Sequence, residues 1–306
     1  MEPAAVDTEV SVGSVRLRNP VMTASGTAGY GTELAPFFDL SSIGALVTKS
    51  LAAYAWAGNP PPRVHPTPQG MVNAVGLQGP GIDSWLAVQL PALLDVGATV
   101  VCSIWGRSVA DYRAAADMLA AAPPEVVAVE VNLSCPNLEG RGSIFAHDAR
   151  LSAEVVAATA GCGRPRWAKL SPNTDRITDV AAAVRAAGAE AVTVANTLLG
   201  MVYDRATWRP ALGNGGGGLS GRAIHPVAVR AVHDVHDAVP EIPIVGVGGI
   251  AAGWDAIEMM LAGASAVQVG TASFADPRAC VNVLDEMVTI AAERGIPRLA
   301  DLHAVA

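Results

Sequence analysis

Lysine is almost missing from this chain of 306 residues: of 20 basic residues only Lys49 and Lys169 are lysine, and the other 18 are arginine. Arginine is a permanently charged fork, whereas lysine is a compact point charge whose pKa can move. In a chain that accepts arginine almost everywhere, two surviving lysines mark positions to follow. Positive charge as a whole is also scarce, with 20 basic residues against 28 acidic ones and a net charge of −8. Aromatic residues make up only 5%. Such a chain has no electrostatic footprint for nucleic acid and does not suit an anionic membrane surface. Long hydrophobic runs are missing too. Mean hydropathy is positive, but no stretch approaches the roughly 18 uninterrupted apolar residues that a span needs. The run MEPAAVDTEV lacks a charged-then-apolar signal pattern. Cysteine is sparse: Cys102, Cys135, Cys162 and Cys280 have no CxxC spacing. That argues against a disulfide scaffold or an iron–sulfur site in this chain, and for a reduced, cytoplasmic setting. The six histidines show no HExxH or other ligand spacing, and His233 with His236 reads as a pair on a helix surface. No metal is expected.

What is present is apolar residue, 51% of the chain, enough for a large core and against disorder. Eight short, nearly continuous apolar runs predict strands: Pro20–Ala24, Ala45–Lys49, Thr99–Ile104, Val126–Asn132, Trp167–Leu170, Ala191–Ala195, Ile242–Val247 and Ala266–Val269. Continuity of that kind suits strands buried on both faces. Between them lie Ala- and Leu-rich helical stretches at Ser84–Asp95, Ala110–Ala121, Ala153–Ala160, Ile177–Ala187, Pro226–Ala238 and Ala252–Ala262. The alternation predicts an α/β fold, a (β/α)8 TIM barrel, with a doubly wound sheet as the structural alternative. Residues Glu9–Arg18 alternate and predict a hairpin around Gly13 that could plug the barrel bottom. Two Pro/Gly-rich insertions, Ala52–Gly81 and Met201–Gly221, extend βα loops and are expected to lack regular structure. With no repeat and no linker, residues 1–306 read as a single domain.

In such a barrel, polar residues at the C-terminal ends of strands are active-site candidates. They are Ser25, Lys49-Ser50, Asn132 with Cys135, Lys169, Asn196-Thr197, Gly248-Gly249 and Gly270-Thr271. Both lysines of the chain are among them. Glycines after strands seven and eight suit a phosphate bound by backbone N–H groups. The run Gly213–Gly218 formally matches GxGxxG but does not follow a strand end, so it reads as a flexible loop. A phosphate seat with lysines and amides suits a flavin mononucleotide or a phosphorylated substrate. Cys135 stands among polar, loop-forming neighbours, with Gly140 and Gly142 following in a segment able to close over the site. There a thiol can act as nucleophile or base. Cys102, Cys162 and Cys280 read instead as small buried apolar residues.

These strand-end motifs resemble the class 1 dihydroorotate dehydrogenases, and most closely the class 1B catalytic subunit. The matching runs are NPVMTASGTAGYG at 19–31, VTKS at 47–50, GNPPPR at 58–63, NAVGLQGPG at 73–81 and VNLSCPN at 131–137. They continue with AKLSPN at 168–173, NTLLGM at 196–201, GGLSGRAIHP at 217–226, VGVGGI at 245–250 and VQVGTA at 267–272. The resemblance implies an FMN-containing (β/α)8 barrel, one FMN per chain, that oxidises (S)-dihydroorotate to orotate. It implies Cys135 as the base for the C5 proton while hydride passes from C6 to flavin N5. Asn73, Asn132, Asn137, Asn196 and Thr197 would form the substrate cage. The backbone of Ala74, Val75, Gly76 and Leu77, with Lys49, would hold the orotate carboxylate. FMN contacts would come from Ser25, Lys49, Ser50, Ser103, Asn132, Lys169, Ala195, Gly221, Gly248, Gly249, Gly270 and Thr271, with Lys169 near N1/O2. Two positions depart from the family pattern. Ser103 stands where an asparagine is usual and would reach the flavin only through water. The stretch LAAYAWA before GNPPPR lacks a basic residue often found there.

The chain has no dinucleotide fingerprint on a βαβ unit and no cysteine cluster for a second redox centre. Resemblance to class 1B therefore implies a partner subunit carrying FAD and a 2Fe–2S cluster and passing electrons to NAD+, in a heterotetramer of two catalytic and two electron-transfer chains. A fumarate-using class 1A enzyme is the near alternative. The serine base and amphipathic extension of the quinone-linked class are not seen. Dihydropyrimidine dehydrogenases have a similar flavin domain, but Pro136-Asn137 after Cys135 fits dihydroorotate better. A non-redox phosphate-binding lyase or isomerase and a catalytically silent flavin-binding paralogue stay open at this stage.

Overall fold

The computed structural model describes residues 6–134 and 144–304. Eight strands form one parallel sheet: β3 (Val21–Thr23), β4 (Leu46–Val47), β7 (Val100–Ile104), β8 (Val126–Asn132), β9 (Arg166–Lys169), β10 (Ala191–Val194), β13 (Ile244–Val247) and β14 (Ala266–Val269). Their spatial order is β3-β14-β13-β10-β9-β8-β7-β4. A parallel bridge between Met22 and Ala45 joins the first strand to the second and closes the ring. The expected barrel is therefore observed, each strand within two residues of its predicted bounds at either end. Every residue of β3, β4, β7, β10, β13 and β14 is buried, as two-sided packing requires.

Helices α1 (Ile82–Ser84), α2 (Leu90–Asp95), α3 (Val109–Met118), α4 (Ala149–Ala158), α5 (Ile177–Ala186), α6 (His225–Ala238), α7 (Gly253–Leu261), α8 (Ala272–Ala275) and α9 (Ala279–Glu293) accompany the strands. Ser108 and Asp148 cap α3 and α4 by accepting from the backbone N–H of Asp111 and Leu151. The helix expected over Ser84–Asp95 is not uniform: Trp85–Gln89 forms a π turn between α1 and α2. Pro91 supplies the reason. Within a regular helix its ring would collide with the carbonyl of Ala87, and the wider turn relieves that collision. Helix α9, which sequence reading did not anticipate, packs on α7 and β3.

The N-terminal hairpin is present as β1 (Val10–Val12) and β2 (Val15–Leu17), with Gly13 at φ +60° in the turn. Its inward residues Val10, Val12, Val15 and Leu17 are buried. Ser14 donates through N–H and Oγ to Glu190, which lies just before β10 at the N-terminal rim. The hairpin thus caps the end of the barrel opposite the site.

The two long insertions contain strands, contrary to expectation. The first carries β5 (Val64–Thr67) and β6 (Gly70–Asn73); β11 (Leu198–Gly200) precedes the second, which carries β12 (Gly217–Ser220). These four pair antiparallel in the order β11-β12-β6-β5. The run Gly213–Gly218 is therefore not a free loop, because its last two residues sit in a central strand. A Cβ on Gly217 would lie 2.3 Å from the Asn73 carbonyl oxygen, and one on Gly218 would lie 2.1 Å from Thr197 Oγ1. Glycine serves here to let strands and side chains approach closely. Among the described residues, no helix is long and apolar enough to cross a membrane.

Candidate active site

All eight barrel strands run the same way, so their C-terminal ends gather the predicted groups at one rim. Lys49 and Ser50 follow β4, Asn132 and Lys169 end β8 and β9, and Ala195-Asn196 follows β10. Gly248-Gly249 and Gly270-Thr271 follow β13 and β14, and Ser25 lies two residues beyond β3. Hydroxyl and amide groups are joined into one network. Ser50 Oγ lies 3.2 Å from Ser25 Oγ and 2.9 Å from Ser103 Oγ, and accepts from Asn132 Nδ2 at 3.1 Å. Asn196 Nδ2 donates to Asn132 Oδ1 at 3.3 Å, and Asn196 Oδ1 accepts from the Thr197 N–H at 2.8 Å. Asn73 Nδ2 donates to the Gly218 carbonyl at 3.3 Å, which ties the amide cage to the antiparallel sheet. Cys135 and Asn137 lie outside the described residues.

Residues 75–77 form a distinctive backbone turn. Gly76 (φ +73°) and Leu77 (φ +60°) both adopt left-handed geometry. The turn is braced from outside: Trp56 Nε1 donates to the Gly76 carbonyl at 3.0 Å, and the Asn59 N–H donates to the Val75 carbonyl at 3.1 Å. Trp56 packs edge-on against Tyr54 and Trp105. Within the same frame the Ala74 N–H donates to the Arg63 carbonyl at 2.8 Å. Among the described residues, by contrast, the N–H groups of Val75, Gly76 and Leu77 meet no acceptor. Successive free N–H groups around left-handed residues make an anion-binding concavity. Lys49 is held nearby, its Nζ 5.6 Å from the ring centroid of Tyr30, whose hydroxyl donates to the Gln78 carbonyl. Burial, with repulsion from Arg63 added, holds Lys49 below the usual lysine range. Burial, with Glu33 second, pushes Tyr30 up to about 12, so its hydroxyl stays a donor.

The glycine pairs at the ends of β13 and β14 repeat this chemistry. Gly248 (φ +141°) and Gly249 (φ +72°) take conformations that L side chains rarely adopt. Among the described residues, the N–H groups of Gly248, Gly249, Gly270 and Thr271 have no acceptor. His225 braces the first pair, its Nδ1–H donating to the Gly248 carbonyl at 2.8 Å while Nε2 lies 3.0 Å from Glu258 Oε2. Thr271 Oγ1 donates to Ser220 Oγ at 2.8 Å, close to Gly221 (φ +98°). A cluster of unpaired backbone donors is the chemistry of a phosphate seat. The buried ammonium of Lys169 nearby and the hydroxyl network fit the rest of a flavin mononucleotide. Ala195, which follows β10, is buried and joined to Val194 by a cis peptide bond.

Sequence reading missed several supporting residues. Asn173 clamps the segment after β10: its Nδ2 donates to the Thr197 carbonyl at 2.9 Å, and its Oδ1 accepts from the Leu199 N–H at 2.8 Å. Glu130 is fully buried inside the barrel, 3.6 Å from Lys169 Nζ. Its signal was in the sequence, as a lone acid within the apolar run VVAVEV, but a search confined to strand ends passes over it. Cys102, Cys162 and Cys280 are buried free thiols. Burial pushes Cys102 and Cys280 up to about 12 and raises Cys162, in keeping with a packing role.

Known proteins of similar sequence bear on this geometry. Residues 8–290 match the family described as Dihydroorotate dehydrogenase. A Trichlorobacter lovleyi protein named "Dihydroorotate dehydrogenase B (NAD(+)), catalytic subunit" is 48% identical over 99% of this chain and 98% of its own length. Proteins of the same name from Geotalea uraniireducens and Geobacter sulfurreducens are 46% and 44% identical, each over 97% of both chains. Likeness over nearly the whole length, with the barrel rim built as above, makes this chain a member of the dihydroorotate dehydrogenase family, a family of oxidoreductases.

Proposed function

We propose that this protein is the catalytic subunit of an NAD-linked dihydroorotate dehydrogenase, oxidising (S)-dihydroorotate to orotate in pyrimidine biosynthesis. The observation that carries the reading is the pair of unpaired N–H clusters at one rim, residues 75–77 and the glycine pairs after β13 and β14. One suits a carboxylate and the other a phosphate. FMN, when bound, supplies the hydride acceptor at N5.

Each residue then has a task set by its chemistry. The N–H groups of Val75, Gly76 and Leu77, with the Lys49 ammonium, bind the substrate carboxylate and fix its register. Asn73, Asn132, Asn137, Asn196 and Thr197 offer neutral donors and acceptors, which match the alternating edge of a pyrimidine ring. Thr197 and Asn196 are fixed in advance by Asn173 and by each other, so little ordering is left for binding to supply. Cys135 takes the C5 proton, as the family resemblance implies. Its thiol must be close to the substrate face. Lys169 presents a point cation to the negative charge that develops near N1/O2 on reduction. Ser25, Ser50 and Ala195 would hold FMN from the barrel strand ends, with Gly221 after β12 and with Ser103 reaching it through water.

The relatives are named as catalytic subunits, and on that ground a second subunit carrying FAD and a 2Fe–2S cluster is proposed. It would pass electrons to NAD+ in a heterotetramer with two copies of each chain, in the cytoplasm. Anaerobic mixing of the FMN-loaded protein with dihydroorotate tests the catalytic reading. The flavin colour should bleach, and Cys135→Ala should stay yellow but bleach ~100-fold more slowly or worse, the scale of losing a positioned base. A chain that stays colourless with added FMN would sink the flavoenzyme reading, and bleaching of the variant at the wild-type rate would remove Cys135 from the mechanism. Co-purification from the native source, followed for an iron–sulfur flavoprotein and NAD+ reduction, tests the partner.

A further inference from the structure

Glu130 is 0% exposed, and Lys169 beside it is 4% exposed. Burying a carboxylate is costly unless it is paired and hydrogen-bonded. Here both conditions are met from four other strands. Ser103 Oγ on β7 donates to Oε1 at 3.2 Å, while Thr193 Oγ1 on β10 and Gln268 Nε2 on β14 donate to Oε2 at 3.1 and 2.8 Å. The Lys169 ammonium on β9 lies 3.6 Å from Oε1. Lys169 is also flanked in register by Asn132 and Thr193. Among the described residues, Glu130 is its only ion-pair partner. The carboxylate is therefore held by three hydrogen bonds, and the lysine at the end of β9 is its charge partner. Ser103, the departure from the family pattern, is one of the three groups that fix it.

We propose that Glu130 is a positioning residue for Lys169: a fixed negative charge beneath the flavin site that holds the ammonium and tempers the positive field it exerts on the flavin. The proposal rests on the FMN reading above. A cation held by a buried anion favours reduction and addition at the flavin less than a free cation would. Removing the anion frees the ammonium and strengthens the field, and both changes favour the reduced flavin. Removing a donor from the anion does the opposite, because the carboxylate charge is then less dispersed.

Sulfite adds reversibly at flavin N5 and is favoured by positive charge near N1, so it reads this field without turnover. Glu130→Gln keeps the shape and removes the charge. It should tighten sulfite binding at least tenfold and raise the two-electron midpoint potential by the equivalent, about 30 mV. Thr193→Val, isosteric and at home in a strand, should weaken sulfite binding several-fold. An unchanged or weakened sulfite affinity in a yellow Glu130→Gln protein overturns the proposal. If that variant does not fold, Thr193→Val decides: weaker sulfite binding supports the proposal, and unchanged or tighter binding overturns it. A wild-type chain that takes up no FMN fails the flavin reading itself, an outcome distinct from yellow proteins with equal sulfite affinities.

Discussion

Replacing Gly218 with alanine probes the cage through its frame. Gly218 lies in β12, paired to Asn73 on one side and Leu199 on the other. The new methyl would sit 2.1 Å from Thr197 Oγ1 and 2.7 Å from Thr197 Cβ, both inside any real contact distance. Thr197 cannot retreat as a whole: its N–H donates to Asn196 and its carbonyl accepts from Asn173. Its side chain must rotate away, and the Asn73 amide, which donates to the Gly218 carbonyl, must shift with the strand. Two proposed substrate contacts are thus lost or misaligned. A neutral hydrogen bond contributes ~1 kcal/mol, so about 2 kcal/mol is lost, roughly thirtyfold in affinity. Orotate titrations that follow the oxidised flavin spectrum would measure this, with flavin content as a check. The phosphate seat is elsewhere on the rim, so flavin content should not change. Gly200→Ala is the control, because the atoms nearest its methyl are Leu219 Cβ at 3.2 Å, Val72 Cγ1 at 3.6 Å and the Leu219 nitrogen at 3.9 Å, none of them a proposed substrate contact. An orotate affinity for Gly218→Ala within threefold of wild type, at equal flavin content, would refute the assignment of Thr197 and Asn73 to the substrate cage.

Lys49 predicts an alkaline limb for orotate binding. Burial, then Arg63, holds its pKa below the ordinary 10.5, and the pairing form is the ammonium, so affinity falls as pH rises through that lowered value. The limb should begin below 10.5 and disappear in Lys49→Arg, which should itself impair turnover because a fork replaces a compact cation; an unchanged limb would mean that another group titrates. Lys169→Arg should impair turnover as well, and if both substitutions were silent the lysines would have no catalytic task. Cys102 and Cys280, pushed up to about 12 from 9.0, should show about a thousandfold less thiolate than an ordinary thiol. They should therefore resist an aromatic disulfide reagent until the protein unfolds, and rapid labelling of either, located by peptide mapping, would contradict the burial.

The barrel was legible because its signals are local. The runs Val126–Asn132 and Ala266–Val269 are apolar but for Glu130, Asn132 and Gln268, and the strands observed have those same bounds. Strand ends followed by Lys, Asn or Gly pairs marked the rim just as directly. The antiparallel sheet was not legible, because nothing local pairs β6 with β12. The glycines of 217–218 mimic a loop by composition, and they become a strand only when Asn73 and Thr197 are pressed against them. Glu130 was hidden for a related reason. Its partners Ser103, Thr193 and Gln268 come from three other strands, so the site that accepts a buried carboxylate exists only in the closed ring. The π turn before Pro91 was readable in principle, since proline inside a helical pattern must break or widen it.

The sheet β11-β12-β6-β5 also bears on how the protein comes into being. Val72 pairs with Leu219, so the segment bearing Asn73 waits for more than half of the remaining chain to be made before it finds its partner. In the barrel most neighbours in space are successive strands in the chain, and only the pairing of β3 with β14 waits longer still. A chain cut within the described loops between the two insertions would offer two half-barrels, and only their reunion would restore this clasp. Orotate binding in such a complementation experiment would report that this long-range contact has formed. The same clasp couples the two insertions to each other, because Asn73 and Gly218 form a single joint made by two distant parts of the chain.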